Sequence, residues 1–311
     1  MTDSPGILVI AGPTASGKSE LALRLAAELD AEIINADSMQ VYRGMDIGTA
    51  KLSPAQQCGI PHHLIDIVSP DQHFSAADFA AAADAAIADI SSRGRRVIVT
   101  GGTGLYIRSL LKGLVDPPGD SSGIRRELQA EAAVRGGQAM LEELRRIDPD
   151  LAGRIHVNNQ VRIIRALEVY RLTGVPLSRY QEEHGFSRQR YPSLQICLQV
   201  ERPVLYERID ARVDRMLEQG LLDEVRRLLA AGYGRGHKAL KAIGYREMIG
   251  YLSDECCFDE AVSRIKRNTR HYAKRQMTWF SGEKDILKLE YPEKFVTILQ
   301  YAIEFFAQRE R

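Results

Sequence analysis

The chain has 311 residues, 44% hydrophobic and 27% charged, which excludes a disordered or fibrous protein and allows one large domain or two modest ones. A net charge of +1 neither requires nor excludes a nucleic-acid partner, so the distribution of charge has to decide. Four cysteines without a CxxC pair (Cys58, Cys197, Cys256, Cys257) read as reduced thiols rather than a disulfide framework, and no apolar run reaches the roughly 18 residues of a membrane span.

The N-terminal segment MTDSPGILVIAG lacks a basic n-region, so a cytoplasmic protein with reduced thiols and no membrane contact is expected. Ile7 to Ala11 is an unbroken apolar run, the pattern of a buried parallel strand. Gly12–Ser19, GPTASGKS, then fits G-x-x-x-x-G-K-[ST] in full, and Leu21, Leu25 and Leu29 follow at helical spacing. In such a loop the backbone of Gly12, Pro13, Thr14, Ala15, Ser16 and Gly17 wraps a polyphosphate. Lys18 supplies a cation, and the Ser19 hydroxyl can ligate Mg²⁺. The motif does not say which molecule carries the phosphates.

A second strand at Glu32–Asn35 leads into NADSMQVY, which puts Asp37 at a strand's C-terminal edge, as a candidate base or as an ordinary turn residue. HHLIDIV, His62–Val68, reads as a further strand; His62 and His63 have no matching Cys or carboxylate spacing and read as structural. An alanine-rich helix from Ser75 to Ser92 precedes the strand Val97–Thr100. That strand ends in GGTGLY, without the aspartate that a nucleotide hydrolase places there. Thr103 can cap the helix opening at Leu105. Strands alternating with helices predict an α/β, doubly wound parallel sheet with ligands at the C-terminal strand edges.

KGLVDPPGDSSG, Lys112–Gly123, is a boundary composition, and only helical periods follow as far as Tyr180, including Val161, Ile164, Leu167 and Tyr170. Three segments are expected: an α/β core over 1–115, a helical insertion over 116–190, and core completion with basic helices over 191–311. The last contains a strand at Leu194–Val200, long helices to Gly232 and from Phe258 to Phe280, a strand in DILKLEYP, and a helix at Phe295–Gln308. Arg208, Arg212 and Arg215 can share one helix face. In SRIKRNTRHYAKRQMTWF, Ile265, Tyr272 and Trp279 predict a buried stripe, with Arg264, Lys266, Arg267, Arg270, Lys274 and Arg275 on the other faces.

GPTASGKS, INADSMQVYRGMDIGTAK, GGTGLY, RIIRALEVYRLTG, KAIGYRE and YAKRQMTWF, in this order, resemble the tRNA dimethylallyltransferase (tRNA isopentenyltransferase) family. The resemblance implies a phosphate-loop core that transfers a dimethylallyl group from its diphosphate to the exocyclic amine of the adenosine 3′ to the anticodon. It implies Asp37 as base, Thr103 near the reacting groups, Lys18 and Arg212 on the diphosphate with Arg208 as a further candidate, and Mg²⁺ as cofactor. It places tRNA contacts at Asp37, Ser38, Met39, Gln40 and Thr103, at Arg125, at Val161, Arg162, Ile163, Ile164 and Arg165, and at Lys241, Ala242, Ile243, Gly244, Tyr245 and Arg246. Absence of a C-terminal Cys/His zinc module resembles the bacterial form, and a monomer is expected. The sequence continues SGEKD after the last block, where the family often has an arginine. Rival readings are an ATP-dependent small-molecule kinase, an adenylate isopentenyltransferase accepting AMP, and a non-catalytic RNA-binding protein that senses a nucleotide.

Overall fold

The computed structural model describes residues 4–114, 122–184 and 189–309. In chain order, β1 (Ile7–Ala11), α1 (Lys18–Leu29), β2 (Ala31–Asn35), β3 (His62–His63), α2 (Ala76–Ser92), β4 (Arg96–Gly101) and α3 (Gly104–Lys112) come first. α4 (Ser122–Ile147), α5 (Pro149–Ala152), α6 (Gln160–Thr173) and α7 (Leu177–His184) follow. β5 (Ser193–Gln199), α8 (Arg202–Glu218), α9 (Leu221–Ala230), a 3-10 turn at Ala239–Lys241, α10 (Tyr245–Leu252), α11 (Phe258–Ser281), β6 (Leu287–Glu290) and α12 (Phe295–Ala307) complete the chain. The chain divides into two units, residues 1–111 with 190–311, and residues 112–189.

The larger unit is α/β. Its six strands run parallel in the order β3-β2-β4-β1-β5-β6. Alternation along β1 explains the layering: Ile7, Val9 and Ala11 pack with Phe79, Ile87 and Leu110 of α2 and α3, while Leu8 and Ile10 pack with Leu21, Leu25, Ile298 and Ala302 of α1 and α12. Each central strand is therefore apolar on both faces, as a sheet covered by helices on both sides requires. Because all strands are parallel, their C-terminal ends share one edge. The loops after β1, β2 and β4 all leave from it.

α2 begins at the expected place because Ser75 and Asp78 form a reciprocal capping box. The strand expected over His62–Val68 is shorter: only His62 and His63 pair with β2. Leu64 and Asp66 adopt φ of 61° and 56°, which turns the chain out of the ladder. The helical stretch expected up to Gly232 consists of α8 and α9, separated at Gln219–Gly220, and α10 lies in a segment for which no helix was predicted.

The smaller unit is all helical among its described residues, around Leu128, Leu144, Ile163, Ala166 and Leu167. Its longest helix, α4, kinks at Gly136. Val161 departs from the predicted stripe and is 80% exposed, and the buried face of α6 is Ile163, Ile164, Leu167 and Val169 instead. Asn159 caps α6 through the Arg162 amide, which sets this phase. Most of the boundary stretch, residues 115–121, lies outside the described residues.

Candidate active site

The loop after β1 and the start of α1 form one wall of a cavity of about 400 Å³. Thr14, Lys18 and Ser19 line it, together with Asp37, Ser38, Met39 and Gln40 from the loop after β2, and Thr100, Gly101 and Gly102 from the end of β4. Arg212 of α8, Lys241, Ala242, Ile243, Gly244 and Arg246, and Tyr272, Arg275 and Gln276 of α11 close it. Residues distant in sequence meet here because three parallel strands end at one edge while α8 and α11 cross over it.

The electrostatics at the loop are those of an anion site. α1 starts without a side-chain cap, so its first amides keep their donors for a ligand. Ser16 is fully buried and its hydroxyl has no partner among the described residues. Lys18 donates to the Pro13 carbonyl at 2.6 Å. Burial, helped by repulsion from Arg212, lowers its pKa to about 8, against the opposing pull of Asp37 and Cys197. Burial also lowers Arg212, and Asp37 pulls it back. Cys197, buried beneath the loop, is pushed up to about 11 by burial and stays a thiol. Two desolvated cations and one carboxylate therefore act on each other within one cavity.

Asp37 is held by its own loop, with its Oδ1 accepting from the Met39 amide at 2.9 Å. Thr103 is half-buried and its side chain bonds to two cavity-lining residues, Ser38 and Tyr272. Its Oγ1 accepts from the Ser38 amide at 3.0 Å and donates to Ser38 Oγ at 3.3 Å. The hydroxyl staples the end of β4 to the residue after Asp37. Its backbone carbonyl, not its side chain, takes the Tyr106 amide that opens α3.

Other sequence-predicted residues divide into those on the cavity and those off it. Arg208 is exposed and absent from the cavity wall, one helical turn before Arg212. Tyr245 is fully buried, bonded through its hydroxyl to Glu224, and its side chain reaches no surface. In the smaller unit Ile163 and Ile164 are core, whereas Val161 and Arg162 are exposed. Arg125 gives two bonds to the buried Glu168 at 2.9 and 2.8 Å, and Arg165 another at 3.1 Å, so both guanidiniums are already paired. The predicted α11 stripe is split: Ile265 is core, Tyr272 faces the cavity, and Trp279 is half-buried beneath Arg108. Of its basic residues, Arg264, Lys266 and Arg270 are paired with Glu260, Asp214 and Asp210.

Gln276 is the residue that sequence reasoning missed. It is 5% exposed, accepts from the Thr14 amide at 2.8 Å and donates to the Gly102 carbonyl at 3.0 Å. A Cβ at Gly102 would lie 2.1 Å from Gln276 Nε2, so a side chain there would displace the Gln276 amide from its two bonds. The paired glycines at the end of β4 carried that signal, but nothing in the sequence named the partner 174 residues from Gly102.

A family model described as IPP transferase matches residues 40–283. The chain belongs to the IPP transferase family. Among relatives, it is 62% identical to tRNA dimethylallyltransferase 1 of Pelobacter propionicus, over 97% of this chain and 98% of the other. It is 58% identical to tRNA dimethylallyltransferase 2 of Geotalea uraniireducens, over 98% of each. Among solved structures, the full-length tRNA isopentenylpyrophosphate transferase of Bacillus halodurans superposes with a TM-score of 0.73 at 40% identity, covering 98% of both chains. A eukaryotic dimethylallyltransferase captured acting on tRNA gives 0.79 at 30% identity, covering 96% of this chain and 78% of that one. The family match includes Gln40, Arg212 and Gln276 but begins beyond the phosphate-loop motif, so the geometry of Gly12–Ser19 is independent evidence.

Proposed function

We propose that this chain is a tRNA dimethylallyltransferase. It transfers the five-carbon group of dimethylallyl diphosphate to the exocyclic amine of the adenosine 3′ to the anticodon, and releases diphosphate. The observation that carries this reading is the convergence of Lys18, Arg212 and Asp37 on one cavity, cations at the phosphate-loop side and a carboxylate within reach of their field.

Heterolysis of the allylic C–O bond moves an electron pair onto the diphosphate and positive charge onto carbon. Lys18, Arg212 and the amides that open α1 stabilise the departing oxygens, the term that dominates when charge develops in a water-poor site. The amine nitrogen forms the new C–N bond and loses a proton, which the Asp37 carboxylate accepts. Thr103 acts on this step through Ser38, keeping the Asp37 loop against β4. Ser38, Met39 and Gln40 lie beside Asp37 for a base taken out of its stack.

Mg²⁺ suits the residues present. It prefers oxygen ligands and draws most of them from substrate phosphates and water, and Ser19 offers a hydroxyl on the cavity wall. No cluster of three His, Cys, Asp or Glu occurs among the described residues to form a protein cage. Mg²⁺ held at Ser19 would supply charge neutralisation for the leaving group.

Purified protein incubated with labelled dimethylallyl diphosphate, Mg²⁺ and unmodified tRNA should label the tRNA, with ATP and AMP arms as controls. Consumption of ATP with no label on tRNA would overturn the reading.

A further inference from the structure

Glu224 of α9 is 2% exposed and lies outside the cavity wall, yet four donors converge on its carboxylate. Oε2 accepts from the amides of Asp46 and Ile47 at 3.0 and 2.8 Å; Oε1 accepts from the Gly48 amide at 3.1 Å and the Tyr245 hydroxyl at 2.6 Å. Residues 46–48 belong to no helix or strand, so this one side chain supplies acceptors that secondary structure would otherwise provide.

Both segments it grips continue into the cavity wall. Gly48 and Thr49 line the cavity, and the carbonyls of Thr49 and Ala50 accept from Gln40 Nε2 at 3.0 and 3.5 Å. Carbonyls only accept, so the NH₂ edge of Gln40 must face them, which leaves its Oε1 as the edge available to a ligand. On the other side, Tyr245 opens α10 directly after Lys241–Gly244, which also line the cavity. The two grips are interlocked: a Cβ on Gly48 would lie 2.5 Å from the Tyr245 ring.

We propose that Glu224 is a positioning residue for the acceptor-base side of the site, tying loop 46–48 to Tyr245 so that Gln40 presents its amide oxygen to the cavity. This rests on the dimethylallyl-transfer reading given above. Among the described residues no hydrogen bond joins the Glu224 carboxylate or the Tyr245 hydroxyl to the phosphate-loop wall, so the two substrates respond differently. Glu224→Gln replaces an acceptor oxygen with a donor facing other donors, and Tyr245→Phe removes one bond while preserving the ring.

Steady-state kinetics with each substrate varied, together with amide hydrogen exchange, tests this in the full chain. In Glu224→Gln, kcat/KM for tRNA should fall about 10- to 100-fold, the scale of an ångström-sized misplacement, while KM for dimethylallyl diphosphate changes less than about twofold. Tyr245→Phe should show a smaller loss of the same kind and serves if the first variant fails to fold. In a Gln40→Ala background, Glu224→Gln should cost less than about twofold more, because the effect passes through Gln40. The amides of Asp46, Ile47 and Gly48 should exchange faster in either variant. Unchanged exchange there overturns the inference whether or not the wild type turns over; so do fully multiplicative losses with Gln40→Ala in an active wild type. A wild type that labels no tRNA overturns the reading of the reaction instead.

Discussion

Asp37 and Lys18 carry opposite charges with different tasks, and each can be tested alone. Asp37→Ala removes the proposed proton acceptor but none of the basic surface, so kcat should drop by about 10²–10⁴-fold with tRNA affinity nearly constant. Single-turnover kinetics with a parallel binding titration checks both halves. Lys18 has a pKa lowered to about 8, principally by burial. Its charge is therefore present below pH 8 and lost above it, well before an ordinary lysine deprotonates. An anionic diphosphate favours the ammonium, so binding takes up protons near and above pH 8. Affinity for inorganic diphosphate should weaken above that pH by up to about tenfold per unit. Calorimetry in buffers of different ionisation enthalpy should register the uptake, and Lys18→Arg should shift the decline to higher pH. Of these residues, Lys18 and Asp37 could be picked out in the sequence because a loop motif and a strand end precede them. Thr103 was legible only as a hydroxyl near the site; its commitment to Ser38 depends on two loops meeting.

At the scale of elements, β2 is held at its N-terminal end by charge as well as by apolar packing. Glu32 is buried within the strand and bonded to Arg93 and to His63 Nε2, the latter at 2.7 Å. The Arg93 guanidinium, with His63 adding to it, holds the Glu32 carboxyl at about 2 against an ordinary value of 4.5, despite the opposing effect of burial. The sign follows from linkage: the depressed group stabilises the fold fully above pH 4.5 and loses that contribution as pH falls toward 2. Urea titrations at pH 6 and pH 3 should show wild type more stable than Glu32→Gln at pH 6, with the gap narrowing at pH 3. A gap independent of pH would mean that the carboxylate's charge contributes nothing. The sequence marked this strand correctly but not its ion pairs. Arg93 lies 61 positions away and comes alongside only because β2 and β4 are neighbours in the sheet. β3 shows the converse failure: HHLIDIV has the apolar content of a strand, yet left-handed Leu64 and Asp66 end the pairing after two residues.

At the scale of the molecule, the +1 net charge is uninformative because acids and bases are largely matched in place. Three of the six basic residues named on α11 are ion-paired, and Arg125 and Arg165 share the buried carboxylate of Glu168. Exposed Arg162 is therefore the cleaner probe of an RNA surface in the smaller unit. Arg162→Ala should lower the slope of log K against log salt for tRNA binding by about 0.7–0.9, the value of one released counterion. Filter binding across a salt series checks this; an unaltered slope places the RNA elsewhere.

By itself the amino-acid order determined the parallel α/β core, the phosphate loop, the helical stretch from Ile124 to Tyr180 and the family resemblance, because these rest on local periodicity and on contiguous motifs. Only the tertiary structure decided that Thr103 bonds to Ser38, that the Tyr245 side chain is buried against Glu224, that Gln276 clamps Thr14 to Gly102, and that Glu224 ties Asp46–Gly48 to Tyr245. Hydrogen-bond satisfaction of buried polar groups is settled between segments tens to hundreds of residues apart, and side-chain periodicity carries no information about that pairing.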